Sequence, residues 1–276
     1  MRTLGQYRQT LDFVLNWSTH TYSFECRPSL EEVFQEHPRL IAVLSHSTPL
    51  SWVPAACLLG HYACLAGGAE RTPLGIMDRF FFRIPLIRYI AEYVTQSSKP
   101  MSFDELKESF QTMSHADAIV FPEGSNCFFG SPDVIQPFRS PRFVELSIRT
   151  NTPILLAVHH GSENWAAALK FSEQAMTVTK YMPDFLAKRI NKSGIFALPL
   201  PPRKIPYFRM LCELYEPKLK LTDLKEDSSE LKLQIELESE QIRQRMAELL
   251  SQIKPQSKPD HATKRHEHAS QGLNSN

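Results

Sequence analysis

Three short apolar runs set the frame of this chain: Leu40–Leu44, Ala118–Phe121 and, led by Pro153, Ile154–Val158. Each is of strand length, is bounded by proline or small polar residues and shows no polar alternation, the pattern of a strand buried on both faces. Around these runs the period changes. Trp52–Leu65 is small and apolar enough for a helix packed on a sheet, and Ser102 with Glu105 forms a capping box ahead of a helix carrying Leu106 and Phe110. Arg142–Arg149 has helical character, and Met210–Tyr215 reads as a late strand. Ser228–Ile253 is the clearest helix, with Leu231, Ile235, Ile242, Met246, Leu249 and Ile253 on one stripe and Glu, Gln, Lys and Arg opposite. This stripe predicts a helix covering one side of a domain rather than a free coiled coil. Together the pattern predicts an α/β fold with a mostly parallel central sheet flanked by helices.

The same pattern divides the chain into residues 1–37, a helical lead-in; 38–253, the α/β domain; and 254–276, a disordered polar tail. The lead-in rests on Leu4, Leu11, Val14 and Leu15 at helical spacing and on a Ser29/Glu32 capping box. In the tail, His261, His266 and His268 sit among Pro, Ser, Lys, Gln and Asn, and read as solvated residues rather than metal ligands.

Composition narrows the function classes. Of 276 residues, 42% are hydrophobic and 22% charged, enough to bury a full core. A net charge of +1 gives no field for nucleic-acid binding, so any phosphate or membrane contact must come from a local patch. The five cysteines are odd in number and lack zinc or redox spacing, so they read as buried thiols of a reducing compartment, and no metal site is expected. The apolar stretch Leu11–Leu15 is too short for a signal peptide, and no run reaches the ~18 apolar residues of a membrane span. These features predict a cytoplasmic chain that meets a membrane only from its surface.

Two loops carry candidate chemistry. His46 follows the first apolar run among Ser45, Ser47 and Thr48, with Pro49 after them. A histidine with one ring nitrogen held by a partner is a natural general base at neutral pH. One residue placed to hold it, five positions on, is Ser51. Phe121-Pro122-Glu123-Gly124 turns the chain sharply where the second run ends, at the strand edge where α/β proteins bind ligands. Alone, this is a strand end with a turn. Between the loops, Asp78–Val94 interleaves bulky apolar residues with Arg79, Arg83 and Arg88 around Pro85. It suits either a membrane interface or a core helix whose arginines reach out to solvent. No Gly-x-Ser-x-Gly or phosphate-loop pattern is present, which argues against a serine hydrolase and a nucleotide hydrolase.

The order of the His46 loop, the arginine-rich segment, Phe121-Pro122-Glu123-Gly124 and the proline-led run at Pro153 resembles the glycerophospholipid acyltransferase superfamily over about residues 38–253. Those enzymes carry a His-x4-Asp motif, a middle motif that binds the acceptor, a Phe-Pro-Glu-Gly motif and a proline-led strand. The stretch Leu198–Arg203 is similar to the branch related to diacylglycerol acyltransferases.

The resemblance implies transfer of a fatty acyl chain from acyl-CoA or acyl carrier protein to a glycerolipid or lysophospholipid hydroxyl, with no cofactor beyond the thioester co-substrate. His46 would be the base. Phe121, Pro122, Glu123 and Gly124 would shape the acceptor pocket, and Arg79 or Arg83 would hold a phosphate. The chain departs from the motif at Ser51, where the family has Asp, and its nearest match to the middle motif is Gly75–Arg79. Ser51 favours a rival, a lipid-binding or regulatory protein whose catalytic machinery has decayed. The weak middle motif leaves room for a neutral acceptor, and hydrolysis of the thioester is a further alternative.

Overall fold

The computed structural model describes residues 1–79, 81–172, 184–200, 202–220 and 229–254. Phe80, Pro201 and the histidines of the tail lie outside the described residues. In chain order the first half comprises α1 (Leu4–Ser18), β1 (Thr19–Arg27), α2 (Leu30–Glu36), β2 (Arg39–Leu44), α3 (Trp52–Leu65), β3 (Thr72–Gly75), α4 (Pro85–Thr95) and α5 (Phe103–Thr112). The second half comprises β4 (Ala116–Val120), α6 (Arg142–Thr150), β5 (Ile154–His160), β6 (Ala166–Lys170), α7 (Asp184–Ser193), β7 (Ile195–Pro199), β8 (Ile205–Tyr215) and α8 (Ser229–Ile253).

The three apolar runs become adjacent central strands of a six-stranded sheet, in the order β1-β8-β5-β2-β4-β3. β2 pairs in parallel with β4 on one side and β5 on the other, and β3 is parallel to β4. β8 runs antiparallel to β5, and β1 is parallel to β8. The chain is therefore α/β with a mostly parallel sheet, and the pleat divides its apolar residues between two cores. Ile41 and Val43 face Phe110 of α5, Val144 of α6 and the α8 stripe; Ala42 and Leu44 face Leu15 of α1 and Leu58 of α3. All six residues named for the α8 stripe are buried, so this helix closes one face of the sheet.

Residues 1–37 are not purely helical. The nine-residue strand β1 joins the sheet edge, registered against β8 from Thr19↔Ile205 to Arg27↔Glu213. Its Tyr22, Phe24 and Cys26 are only partly buried and alternate with polar residues. This is a period-2 signal from a half-solvated edge strand, weaker than the continuous runs of the centre. β3 is similarly easy to miss, with four residues that include a proline. It is locked to β4 by the buried Arg71, whose guanidinium grips Asp117 in bidentate fashion at 2.8 and 2.6 Å and donates to the His37 carbonyl.

Among the described residues no helix is long and apolar enough to cross a membrane, and no group of three or more His, Cys, Asp or Glu could hold a metal ion. All five cysteines are free.

Candidate active site

Because β2, β3, β4 and β5 are parallel, their carboxyl ends share one edge. The loops that leave it contain His46, Ser51, Arg79 and the Phe-Pro-Glu-Gly residues: Ser45–Ser51 after β2, Gly75–Arg79 after β3, and Phe121–Gly124 after β4, with Arg83 four residues further on. His159–Ser162 lies at the end of β5 on the same edge.

His46 and Glu123 are brought together, but through the backbone. Glu123 is fully buried; its Oε1 accepts the His46 N–H at 3.0 Å and its Oε2 accepts the Gln136 N–H at 3.2 Å. The carboxyl thus ties the β2 loop to the β4 turn and to residue 136. Burial pushes its pKa up to about 8, against the lowering effect of both bonds and of the Arg243 charge, which favours the protonated carboxyl. Gly124 completes the turn at φ +50, where a side chain is strained, and lies beside the Arg139 side chain.

The His46 ring lies against Phe121, with centroids 5.4 Å apart. Both ring nitrogens are buried and no side chain among the described residues partners either of them, and Thr48 Oγ1 in the same loop is likewise unpaired among those residues. Burial lowers the His46 pKa to about 4; the nearby Pro49 carbonyl opposes this shift and the neighbouring His159 adds to it. Unpaired buried polar groups are uncommon in native proteins and call for a specific explanation.

Ser51 does not orient that ring. Its Oγ donates to the Thr48 carbonyl at 2.8 Å and accepts the Thr48 N–H at 3.1 Å, closing the loop ahead of α3. The expected partnership fails because a short hydroxyl at the start of a helix finds backbone groups three residues back before it finds a ring five residues back. Ser51 is fully buried, so Ser51→Ala should lower the unfolding free energy by ~1–3 kcal/mol, read from the urea midpoint. An unchanged midpoint would show that the loop closes without it.

The arginine against the Phe-Pro-Glu-Gly turn is neither Arg79 nor Arg83. Both of those are exposed and carry no ion pair among the described residues. Arg139 instead donates its N–H to the Pro122 carbonyl at 2.8 Å and pairs with Asp78 at 2.5 Å, linking the segment after β3 to the turn after β4. Arg189 reaches Ser125 Oγ at 2.8 Å. Neither was visible in the motif order, because each arrives from a distant part of the chain.

His159, left without a role by the motifs, braces the His46 loop. Its N–H donates to Ser45 Oγ at 3.2 Å, its Nε2 donates to the Ser45 carbonyl at 3.0 Å, and Ser162 Oγ lies 3.4 Å from Nδ1 and 3.2 Å from Ser47 Oγ. Burial holds this ring also near a pKa of about 4. His160 points to the opposite sheet face and pairs with Glu163 at 2.7 Å, while His61 pairs with Asp12 at 2.7 Å. Two loops converge, then, on one buried imidazole that has no side-chain partner among the described residues, in a loop tied to the Glu123 carboxyl and braced by His159. No protein-family model matches the chain, and no curated protein sequence matches it.

Proposed function

We propose that the chain is an acyltransferase that moves a fatty acyl group from a thioester, acyl-CoA or acyl carrier protein, to a glycerolipid or lysophospholipid hydroxyl. The observation that supports this reading best is the His46 imidazole, buried beside Phe121 with no side-chain partner among the described residues, in a loop tied to Glu123 of the Phe-Pro-Glu-Gly turn. In this reading a ring nitrogen takes the proton of the acceptor hydroxyl as its oxygen attacks the thioester carbonyl. The tetrahedral intermediate collapses with loss of the thiolate, which recovers the proton from the imidazolium, and the products are an ester and a free thiol. Glu123 acts behind the site as a positioning residue, holding the His46 backbone rather than touching substrate. Arg139 stands at the turn itself, but its guanidinium is paired with Asp78, so an acceptor phosphate there would compete with that carboxylate. An acceptor of this kind resides in a bilayer, so the reading includes a cytoplasmic chain that meets a membrane surface from one side.

One observation favours a second reading. Among the described residues no carboxylate holds the His46 ring, and Ser51 is engaged by the backbone, as expected of a lipid-binding or regulatory protein on this fold. The two part in one experiment: the purified chain and its His46→Ala variant are incubated with labelled long-chain acyl-CoA and a mixed lysolipid and acylglycerol extract. A labelled ester from the first and not the second supports transfer. Retained lipid with no ester from either supports the binding protein.

A further inference from the structure

Helix α4 packs with its large apolar residues outward. Its buried residues are Ala91 and Thr95, and Val94 fits so closely over Gly75 at the end of β3 that a Cβ there would meet it at 2.7 Å. The large residues Leu86, Tyr89, Ile90 and Tyr93, spaced i, i+3, i+4 and i+7, form one outward stripe, with Leu86 78% and Tyr89 73% exposed. Single exposed apolar residues are ordinary, but a contiguous stripe marks an interaction surface.

The stripe does not end with α4. The Tyr93 hydroxyl lies 3.2 Å from Thr10 Oγ1 of α1. Three and seven positions beyond Thr10, on the same side of α1, are Phe13, 71% exposed, and Trp17, 49% exposed. The composition of this face is that of a membrane interface, where amphipathic aromatic rings sit at headgroup level. Its charge is complementary to anionic lipid. Arg79 and Arg83 lie exposed just before α4 with no carboxylate partner among the described residues, and the Arg2 guanidinium stands 4.9 Å from the Tyr93 ring centroid. The carboxylate on this helix, Glu92, is neutralised by Arg88 at 2.5 Å.

We propose that the outward face of α4, continued by Phe13 and Trp17 of α1, docks into the interface of an anionic phospholipid bilayer, with Arg79 and Arg83 against its headgroups. This deepens the acyl-transfer reading, from which it takes the need for a lipid route. Gly75 backs directly onto α4, and the segment it begins reaches the Phe121–Gly124 turn through the Asp78–Arg139 pair, so the face adjoins the candidate site.

The test is co-sedimentation of the full chain with vesicles of pure phosphatidylcholine and of an equimolar mixture with phosphatidylglycerol. Binding should be stronger to the mixture, fall at least tenfold in the Leu86→Ser/Tyr89→Ser/Ile90→Ser variant, and fall about fivefold for each of Arg79 and Arg83 replaced by glutamine. Circular dichroism checks that the triple variant is folded, and quenching of Trp17 emission by brominated acyl chains, lost in Trp17→Phe, reads the same contact without altering α4. Unchanged vesicle binding by the triple variant would overturn the proposal, as would no binding by the wild-type chain. So would a concentration-dependent dimer that this variant dissociates, since the face would then join two copies. Ester formation from detergent-dispersed lysolipid should survive in the triple variant. If ester is never formed yet vesicles are bound through this face, the docking proposal stands and the acyl-transfer reading fails.

Discussion

On the acyl-transfer proposal, a chain with alanine at position 46 is expected to form ester roughly 10²–10⁴-fold more slowly than the wild type, the usual contribution of a positioned general base. Loss of fold would not by itself explain such a drop: the ring has no side-chain hydrogen-bond partner among the described residues, and its removal costs chiefly its packing against Phe121. The urea midpoint, measured alongside, should therefore change far less than the rate. The pH profile carries a second signature. With the ring held to about 4, His46 stays neutral well below the pH at which a solvated histidine, near ~6.5, would take up a proton. The acid limb of kcat/KM should accordingly fall toward pH 4. A limb near ~6.5 would mean that the ring is solvated in the free protein, and an unchanged rate in the variant would remove His46 from the proposed chemistry.

Glu123 should leave its mark on stability against pH. The unfolded chain releases this proton near ~4.3, the folded chain at about 8. Between these values the native state keeps a proton that the unfolded state has lost, so stability falls as pH rises, by ~1.4 kcal/mol per pH unit and ~5 kcal/mol across the window. His46 and His159 act in the opposite sense. Their rings are held to about 4 against ~6.5 in the unfolded chain, so stability is lost as pH falls through that interval.

The three groups together place the optimum near pH ~6.5. In Glu123→Gln the amide nitrogen cannot accept the Gln136 N–H, which should cost ~1–3 kcal/mol at acid pH. The variant lacks the alkaline loss, however, so its stability curve should cross that of the wild type before pH ~8. Urea denaturation at a series of pH values measures both curves. A constant difference between them would show that the carboxyl ionises alike in both states.

The strongest readings of the chain came from its most redundant signals. Leu40–Leu44, Ala118–Val120 and Ile154–Val158 are strands because uninterrupted apolar runs of that length have no other place than a doubly covered sheet, and α8 buries all six residues of its stripe. β1 and β3 escaped the same reading. One is a half-solvated edge strand and the other is four residues long, so neither carries enough apolar periodicity to be distinguished from a loop.

At the site, sequence alone placed His46 and Glu123 just past strands β2 and β4, since strand ends are local features marked by proline, glycine and polar clusters. Their relation was decided by tertiary structure. The order β5-β2-β4 sets the two loops side by side, and only then does the Glu123 carboxyl meet a backbone N–H rather than a substrate. The same packing gives Ser51 to Thr48, sets His159 behind the loop and brings Arg139 to the turn. Periodicity and motif order report which residues leave the sheet at the carboxyl edge of its parallel strands. Which polar atom each one meets depends on strand order and burial, because a hydrogen bond is won by whichever partner the fold brings within ~3 Å, whatever its distance along the chain.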